Sequence, residues 1–515
     1  MKRLLVALLM VATAALPVVA RDDYTRSTTL DAIHYRISLD IKQEGEQISA
    51  SAHILFEATG DGVSQVPLDF AGLTVSEVSE DKRPARFTYT GGKLIVALGK
   101  TYRRGDRFWI GVKYHGQPSD GLFIKKSKFG HRTVFADNWP NRARHWFPGI
   151  DHPYDKATVE FLVTTPARYD VIANGALVEV TSKHDGTKLT HWKMSVPIPT
   201  YCMVVGATEF SILNVGTRHG VQLLYYLYPQ DRENGIKDYG RALQMFEYYH
   251  NLIGPFPYEK LALVQSSTRF GGMENSTAIF FDEKAFDGSG RLEGTVAHEI
   301  AHQWFGDSVT EADWHHLWLS EGFATYFENL FFEHADGREK FIQRMLADKE
   351  TYLKAYGETA PPIYDPSITD LFKLLNRNNY QKGAWVLHML RREMGDRLFF
   401  EAVRDYYRTY RDRTALTEDL QKVMEFHAGR PLDWFFKQWV YEPGYPIIDA
   451  AWNWNQPTGE LHLRVAQKQQ KTLFRLRLDV DIKTGDKSRR ETVEVRQRDH
   501  TFTFKLDSKP ERVAL

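Results

Sequence analysis

The chain has 515 residues, of which 43% are hydrophobic and 26% are charged, values typical of a globular protein and unlike those of disordered or membrane proteins. Its 66 basic and 66 acidic residues balance, so its charge gives no basis for binding nucleic acid or an anionic membrane. The length predicts about two to four domains of roughly 100–200 residues each.

Residues 1–20 have the pattern of a secretory signal peptide. Lys2 and Arg3 precede an apolar stretch, which ends in small residues suited to a signal peptidase. An N-terminal membrane anchor is the alternative, but the stretch is short for a spanning helix and Pro17 interrupts it. No later segment reaches spanning length. We therefore expect an exported protein, periplasmic or extracellular, with no integral membrane segment in the mature chain.

An all-β domain is predicted for residues 21–205. Alternate residues from Tyr35 to Ile41 are apolar, which is the period of a half-buried strand. Further runs of this kind follow and are separated by Gly, Pro, Asn and Asp. The single cysteine, Cys202, lies in an apolar stretch, so we expect a buried thiol and no internal disulfide.

Residues 206–445 include two strand-like runs, LALV (261–264) and AIFF (278–281), on either side of the pentapeptide GGMEN (271–275). Paired glycines beside strands usually mark a turn or a close backbone approach. The pentapeptide alone does not reveal the role of Glu274.

Helical periodicity dominates from about residue 239 to residue 440. One apolar helical stripe is expected to be core rather than a binding surface: Phe323, Tyr326, Phe327, Leu330 and Phe331. Strands return after residue 446, where the stretch 474–482 alternates apolar and charged residues. The sequence thus predicts a multidomain α+β fold that closes with a small β-sandwich over residues 446–515.

The stretch VAHEIAHQWFGD (296–307) carries a metal-binding motif. His298 and His302 are four residues apart, so a helix projects both imidazoles from one face. Glu299 lies about 60° round the helix from His302, near enough to approach a metal-bound water but poorly placed to be a ligand. Taken alone, the motif also fits two solvated or core histidines beside an unrelated carboxylate.

A catalytic zinc site usually has three protein ligands and an open position for water. Glu321, which follows His302 after a gap of eighteen residues, is the third candidate, near the start of a second helix that Asp313 or Ser320 could begin. Glu328 lies two turns further along the same face, where it could orient a ligating imidazole through its other N–H. We therefore predict one zinc ion per chain and hydrolysis of an amide or ester.

The combination of HEIAHQWFGD, Glu321 and the upstream GGMEN resembles the aminopeptidase N family of zinc metallopeptidases, over roughly residues 24–450. The resemblance implies a thermolysin-like catalytic domain. It also implies that Glu274 binds the free α-amine of a peptide, since a buried carboxylate paired with an ammonium makes the free amine obligatory. An ordinary surface carboxylate on a hairpin is the alternative for Glu274.

The resemblance assigns roles to four further residues. Met273 would line the pocket for the first side chain. Gly271 and Gly272 would let the backbone approach the substrate and pair with it. Tyr380, which precedes a Lys-Gly pair as in the family, would stabilise the oxyanion. Alternatively, Tyr380 packs the start of a helix.

The chain departs from the family at two points. The family usually has a Gln or Glu in the N-terminal domain as a second contact to the amine, whereas Trp139 stands at the related position. Asp137 and Asn138 are the candidate replacements. Many members also carry a large C-terminal helical domain over the active site, and we expect a short member without it and with a more open cleft.

The predicted function is a zinc-dependent aminopeptidase that removes single residues from peptides with a free N-terminus. Three alternatives stay open: a thermolysin-type endopeptidase, an epoxide hydrolase, and a non-catalytic peptide-binding protein on the same scaffold. The sequence predicts neither the preferred first residue nor the oligomeric state.

Overall fold

The computed structural model describes residues 22–357 and 359–515, so the predicted signal peptide, residues 1–20, lies outside the described residues. The chain folds into an N-terminal β domain, a mainly helical central domain that includes a five-stranded sheet, and a small C-terminal β domain. This architecture confirms the predicted multidomain α+β class. Within the described ranges, no helix is both long and apolar enough to cross a membrane.

The N-terminal domain is built around an eight-stranded sheet, with two smaller sheets beside it. Its strands are β1 (Leu30–Ile41), β2 (Ile48–Ala58), β3 (Val63–Asp69), β4 (Thr74–Glu80), β5 (Arg83–Pro84), β6 (Arg86–Thr90), β7 (Lys93–Tyr102), β8 (Arg107–Gly116), β9 (Leu122–Lys126), β10 (Arg132–Ala136), β11 (Lys156–Pro166), β12 (Asp170–Ala173), β13 (Ala176–Ser182), β14 (Thr187–Pro199) and β15 (Val205–Thr208).

The large sheet has the order β13-β14-β11-β1-β2-β8-β4-β5, and the smaller sheets have the orders β12-β15-β10-β9 and β3-β7-β6. Tyr35 and Ile37 of β1 are buried, as the alternation predicts. The thiol of Cys202 is buried as well. Strand β15 pairs within this domain and runs slightly beyond residue 205, the predicted limit of the domain.

The central domain begins with a sheet of order β16-β17-β18-β20-β19 and continues mainly as helices. Its elements are β16 (Ser211–Arg218), β17 (Val221–Leu227), α1 (Arg232–Asp238), α2 (Ala242–Ile253), β18 (Lys260–Ser266), β19 (Gly272–Met273), β20 (Ala278–Asp282), α3 (Glu293–His302), β21 (Val309–Glu311), α4 (Trp318–Asp336), α5 (Arg338–Ala355), α6 (Gly383–Met394), α7 (Asp396–Tyr410), β22 (Arg413–Ala415), α8 (Thr417–Ala428) and α9 (Asp433–Phe436).

Helix α4 carries the predicted aromatic stripe, which is buried and belongs to the core as expected. The short strand β19 forms the edge of the five-stranded sheet and also contacts α3. This edge strand and the helices α3 and α4 supply most of the residues of the candidate site.

The C-terminal domain consists of two three-stranded sheets, of order β23-β24-β27 and β26-β25-β28, as a small sandwich requires. Its strands are β23 (Ile448–Asn455), β24 (Glu460–Gln467), β25 (Leu476–Thr484), β26 (Lys487–Val495), β27 (Asp499–Lys505) and β28 (Arg512–Ala514).

Candidate metal centre

The three predicted metal ligands converge on one point. His298 and His302 lie one turn apart on α3, and their Nε2 atoms are 3.0 Å apart. Glu321, in the first turn of α4, places its Oε2 atom 3.2 Å from Nε2 of His298 and 3.3 Å from Nε2 of His302. Donor atoms from two helices therefore surround a single site.

The geometry of these donor atoms fits a zinc ion. In a tetrahedral site with bonds of about 2.0–2.1 Å, neighbouring ligand atoms lie about 3.3 Å apart. The three observed separations are 3.0, 3.2 and 3.3 Å. Two imidazoles and one carboxylate are also a donor set that catalytic zinc sites use, with the fourth position left open.

Several buried carboxylates surround this site and favour a cation within it. Burial raises the pKa of Glu299 to about 8 and also raises the pKa of Glu274. Burial would lower the pKa of His302, but the Glu321 carboxylate outweighs it and raises that pKa to about 9. Donor atoms of Glu274, Glu299 and His302 all lie within 4.8 Å of one another. Carboxyl groups are thus concentrated beside the ligands, and a bound cation would favour their ionised forms.

Contacts on its other ring nitrogen fix the orientation of His302. Its Nδ1 atom lies 3.1 Å from the carbonyl oxygen of Phe305 and 3.0 Å from Oγ of Ser320. A carbonyl can only accept, so Nδ1 carries the proton and Nε2 is left for the metal. Ser320 was a candidate to begin the second helix, but α4 begins before it. Asp313 instead caps the short 3-10 helix that precedes α4.

A carboxylate and a guanidinium stand behind the second imidazole. The Oε2 atom of Glu328 lies 3.6 Å from Nδ1 of His298, on the side of the ring away from the metal site. Arg344 of α5 forms an ion pair with the other oxygen of Glu328. The same guanidinium donates through Nε to the side-chain oxygen of Asn329, 2.7 Å away. These contacts hold Glu328 where it was predicted to orient His298.

Hydrogen bonds tie the GGMEN segment to the metal-binding helix. Gly272 and Met273 form the edge strand β19, which pairs with β20. Gln303, the residue after the second histidine, donates from Nε2 to the backbone carbonyl of Glu274 at 2.5 Å. Its Oε1 atom accepts from the backbone N–H of Thr277 at 2.8 Å. Gln303 therefore holds the GGMEN segment in a fixed position against α3.

The absence of a side chain at position 272 makes room for Glu299. A β-carbon there would lie 2.3 Å from Oε1 of Glu299, so only glycine fits without displacing the carboxylate. A β-carbon at Gly271 would meet nothing within 4 Å. Of the two glycines, only Gly272 is therefore required for steric reasons.

Tyr380 reaches the same site from a π-helical turn, Asn378–Lys382, that leads into α6. Its hydroxyl donates to Oε1 of Glu321 at 2.7 Å, and its ring is stacked on that of His298. The phenol is therefore within reach of a group bound at the metal.

These residues line a partly open cavity of about 380 Å³, a volume that includes adjoining solvent space, and its walls also include Trp139. Asp137 and Asn138, the candidate replacements for a second amine contact, lie outside its lining. Asp137 forms an ion pair with Arg142, and Asn138 donates to the backbone carbonyl of Met203. This part of the cavity wall is therefore formed by the indole of Trp139, and neither Asp137 nor Asn138 supplies a second contact to the amine there.

The comparisons with known proteins follow the same division of the chain. The Peptidase M1 N-terminal domain matches residues 31–202, and the Peptidase family M1 domain matches residues 237–439. The probable aminopeptidase 2 of Sulfurisphaera tokodaii is 27% identical over 421 residues, which cover 76% of this chain and 51% of that protein. Human glutamyl aminopeptidase is 27% identical over 419 residues, 73% of this chain and 43% of that protein. The chain spans about half the length of the curated relatives it matches.

Solved structures of similar length also match. The M1 zinc metallopeptidase of Deinococcus radiodurans has a TM-score of 0.69 and 26% identity, covering 81% of this chain and 95% of that chain. A mutant of that enzyme bound to a Tyr-Ser-Ala substrate has a TM-score of 0.69 and 25% identity, covering 82% of this chain and 96% of that chain. With both family domains matched in order around a site that fits zinc, the chain belongs to peptidase family M1.

Proposed function

We propose that the protein is a zinc aminopeptidase that hydrolyses the first peptide bond of peptides with a free N-terminus. One observation carries the proposal: the buried carboxylate of Glu274 lines the same cavity as the three metal ligands. A carboxylate beside a zinc site suits a substrate whose ammonium and scissile carbonyl are attached to the same α-carbon. An endopeptidase has no use for it.

The edge strand supplies the proposed backbone contacts of the substrate. Among the described residues, Gly272 and Met273 pair with β20 on one side only, which leaves their other edge to pair with an extended peptide. Glu274 directly follows this edge strand and would bind the ammonium of the paired peptide. The peptide would then be held in one register, with its first carbonyl at the metal ligands.

The chemical step would use two further side chains. When bound, zinc supplies Lewis-acid polarisation of the carbonyl and lowers the pKa of a coordinated water. Glu299, which is held against the backbone of Gly272, would take a proton from the attacking water and deliver it to the leaving amine. Tyr380 would turn its hydroxyl from Glu321 to the developing oxyanion and donate a hydrogen bond to it.

A panel of aminoacyl fluorogenic amides tests this function, each run with and without a chelator and beside an N-acetylated control. We expect much faster cleavage of the free-amine substrates than of the N-acetylated control, loss of activity with the chelator, and recovery when zinc is added back. Equal cleavage of the N-acetylated control would instead indicate an endopeptidase. Zinc binding without any hydrolysis would favour a peptide-binding protein.

We also propose that the protein is exported to the periplasm or the extracellular space. The support is the sequence of residues 1–20, with two basic residues, an apolar stretch and small residues at its end. N-terminal sequencing of the protein from fractionated cells tests this proposal. We expect a chain that starts after residue 20 in the exported fraction, and an uncleaved chain in the cytoplasm would contradict it.

A further inference from the structure

The side chains that line the site cavity, beside the backbone of Gly272, divide into a polar set and an apolar set. The polar set comprises the metal ligands together with Glu274, Glu299 and Tyr380. The apolar set comprises Trp139, Phe270, Met273 and Leu375. In the proposed function the polar set binds the carbonyl and the ammonium of the substrate. The first side chain, attached to the carbon between those two groups, is therefore left to face the apolar set.

Neighbouring aromatic rings hold Trp139 in place. Its ring centroid lies 5.6 Å from that of Phe372, 5.6 Å from that of Trp314 and 6.4 Å from that of Phe270, all in edge-to-face arrangements. Such contacts are each favourable beyond the burial of area alone. The indole is only 3% exposed, so it forms a rigid wall rather than a mobile flap.

The charge outside this wall is unsuited to a basic substrate side chain. The guanidinium of Arg269 lies 4.8 Å from the ring centroid of Phe372 and 5.1 Å from that of Phe270. The guanidinium of Arg142 also lies 5.9 Å from the Phe270 centroid and 5.8 Å from the Phe372 centroid, so these rings already interact with two cations. A further cation would be buried beside them, and an acidic side chain would meet the carboxylates of the polar set.

We propose that the cavity selects peptides whose first residue is aromatic or large and aliphatic, and that Trp139 is the residue that sets this preference. The inference rests on the proposed aminopeptidase function, because the two anchored groups of the substrate decide where its first side chain lies. An apolar side chain gains contact with Trp139, Phe270, Met273 and Leu375, whereas a charged one loses water without gaining a partner.

Measurement of kcat/KM for the amides of Phe, Leu, Ala, Arg and Glu tests the preference. We expect Phe and Leu to exceed Ala by at least about 10-fold, the discrimination that a hydrophobic pocket gives. Arg and Glu should lie below Phe by at least the same factor. An Arg or Glu substrate cleaved as well as the Phe substrate would overturn the inference while the aminopeptidase function stands.

Calorimetric binding of phenylalaninamide and argininamide separates the two proposals. Tighter binding of phenylalaninamide with no turnover of any amide would support the cavity preference and contradict the aminopeptidase function. Equal or tighter binding of argininamide would overturn the preference, whatever the turnover.

Two substitutions test the residues themselves. Trp139→Ala should lower the Phe-to-Ala ratio of kcat/KM by about 10-fold. Because loss of a buried indole can unfold the domain, Leu375→Glu is the second variant, at a half-buried position of the same wall. Its added carboxylate should raise the Arg-to-Phe ratio by at least about 10-fold.

Leu371→Glu is the matched control for Leu375→Glu. Leu371 is also half-buried and lies one turn earlier in the same segment, but it lines a different cavity, with His152 and Trp314. We expect this control to leave the Arg-to-Phe ratio unchanged. An unchanged ratio in Leu375→Glu, or an equal shift in both variants, would show that the apolar set does not contact the first side chain.

Discussion

Gly322 of α4 packs directly against Gly383 at the start of α6: a β-carbon at position 322 would lie 2.9 Å from the α-carbon of Gly383. This close approach of α4 and α6 brings together two residues of the proposed catalytic site, Glu321 and Tyr380. Gly322 follows the metal ligand Glu321, and the turn that precedes Gly383 carries Tyr380. The hydroxyl of Tyr380 can reach Glu321 at 2.7 Å only because neither glycine has a side chain at the crossing.

The first prediction is that Gly383→Ala reduces turnover while zinc stays bound. The added methyl group must push α6 away from α4, and Tyr380 moves with it. Loss of an oxyanion donor costs on the order of 10²–10³ in kcat, so the variant should approach Tyr380→Phe in its loss. Gly357→Ala is the control, since a β-carbon there meets nothing within 4 Å. A kcat equal to that of the wild type in Gly383→Ala would show that the close packing of α6 on α4 is not needed to position Tyr380.

The second prediction separates the base from the ligands. Glu299→Gln keeps the volume of the side chain against Gly272 but cannot accept a proton, so we expect stoichiometric zinc and a loss of about 10²–10⁴-fold in kcat. His302→Ala should lose zinc as well as activity, because it removes a ligand. Metal analysis of the purified variants decides the outcome. A zinc-free Glu299→Gln would mean that Glu299 binds the metal.

The third prediction concerns the guanidinium behind the zinc site. Arg344→Ala should weaken zinc binding, because Glu328 would lose the partner that holds it against His298. Removing a group that orients a metal ligand typically costs about 10–100-fold in metal affinity. The loss of zinc affinity should be measured by competition with a chelator. Expressed as a free energy, it should exceed any loss in the free energy of unfolding.

Arg338→Ala is the matched control for the third prediction. Arg338 also lies on α5 and also pairs with a glutamate of α4, Glu333, but that pair has no contact with a metal ligand. We expect it to leave zinc affinity unchanged. Equal effects of the two substitutions would assign Arg344 a purely structural role.

Local sequence patterns were sufficient to predict the two histidine ligands of the metal centre. A four-residue spacing on a helix has one geometric outcome, so His298 and His302 had to share a face. The apolar alternation of β1 likewise predicts which side chains are buried. In both cases the information lies within a few consecutive residues, and the structure adds only the distances.

Contacts between distant segments could not be predicted in this way. Arg344 is one of many charged residues on an amphipathic helix, and only the packing of α5 on α4 brings it to Glu328. Leu375 and Trp139 are more than 200 residues apart, yet they line one cavity. Strands β16 and β17 of the central domain were also missed, since the strand-like runs predicted in that domain correspond to β18 and β20. Pairing partners, rather than local pattern, define these elements.

The last prediction concerns the carboxylate of Glu274. Replacing it with Ala removes a contact to the substrate ammonium in both the ground and the transition state, and it also loosens the register of the peptide. Both KM and kcat should therefore suffer, because binding and positioning are lost together. The loss should exceed the roughly 0–1 kcal/mol of a surface ion pair and approach the 2–5 kcal/mol that is typical of breaking a buried charge pair.

The loss in Glu274→Ala should also be selective for free-amine substrates. N-acetylated peptides make no ion pair with Glu274, so their slow cleavage should change little, and the preference for a free amine should largely disappear. Glu274→Gln separates charge from volume, since it keeps the side chain against the cleft but not its charge, and it should resemble the Ala variant. If either variant cleaves free-amine substrates as well as the wild type does, Glu274 does not hold the ammonium. The aminopeptidase proposal then fails, while the zinc site formed by His298, His302 and Glu321 stands.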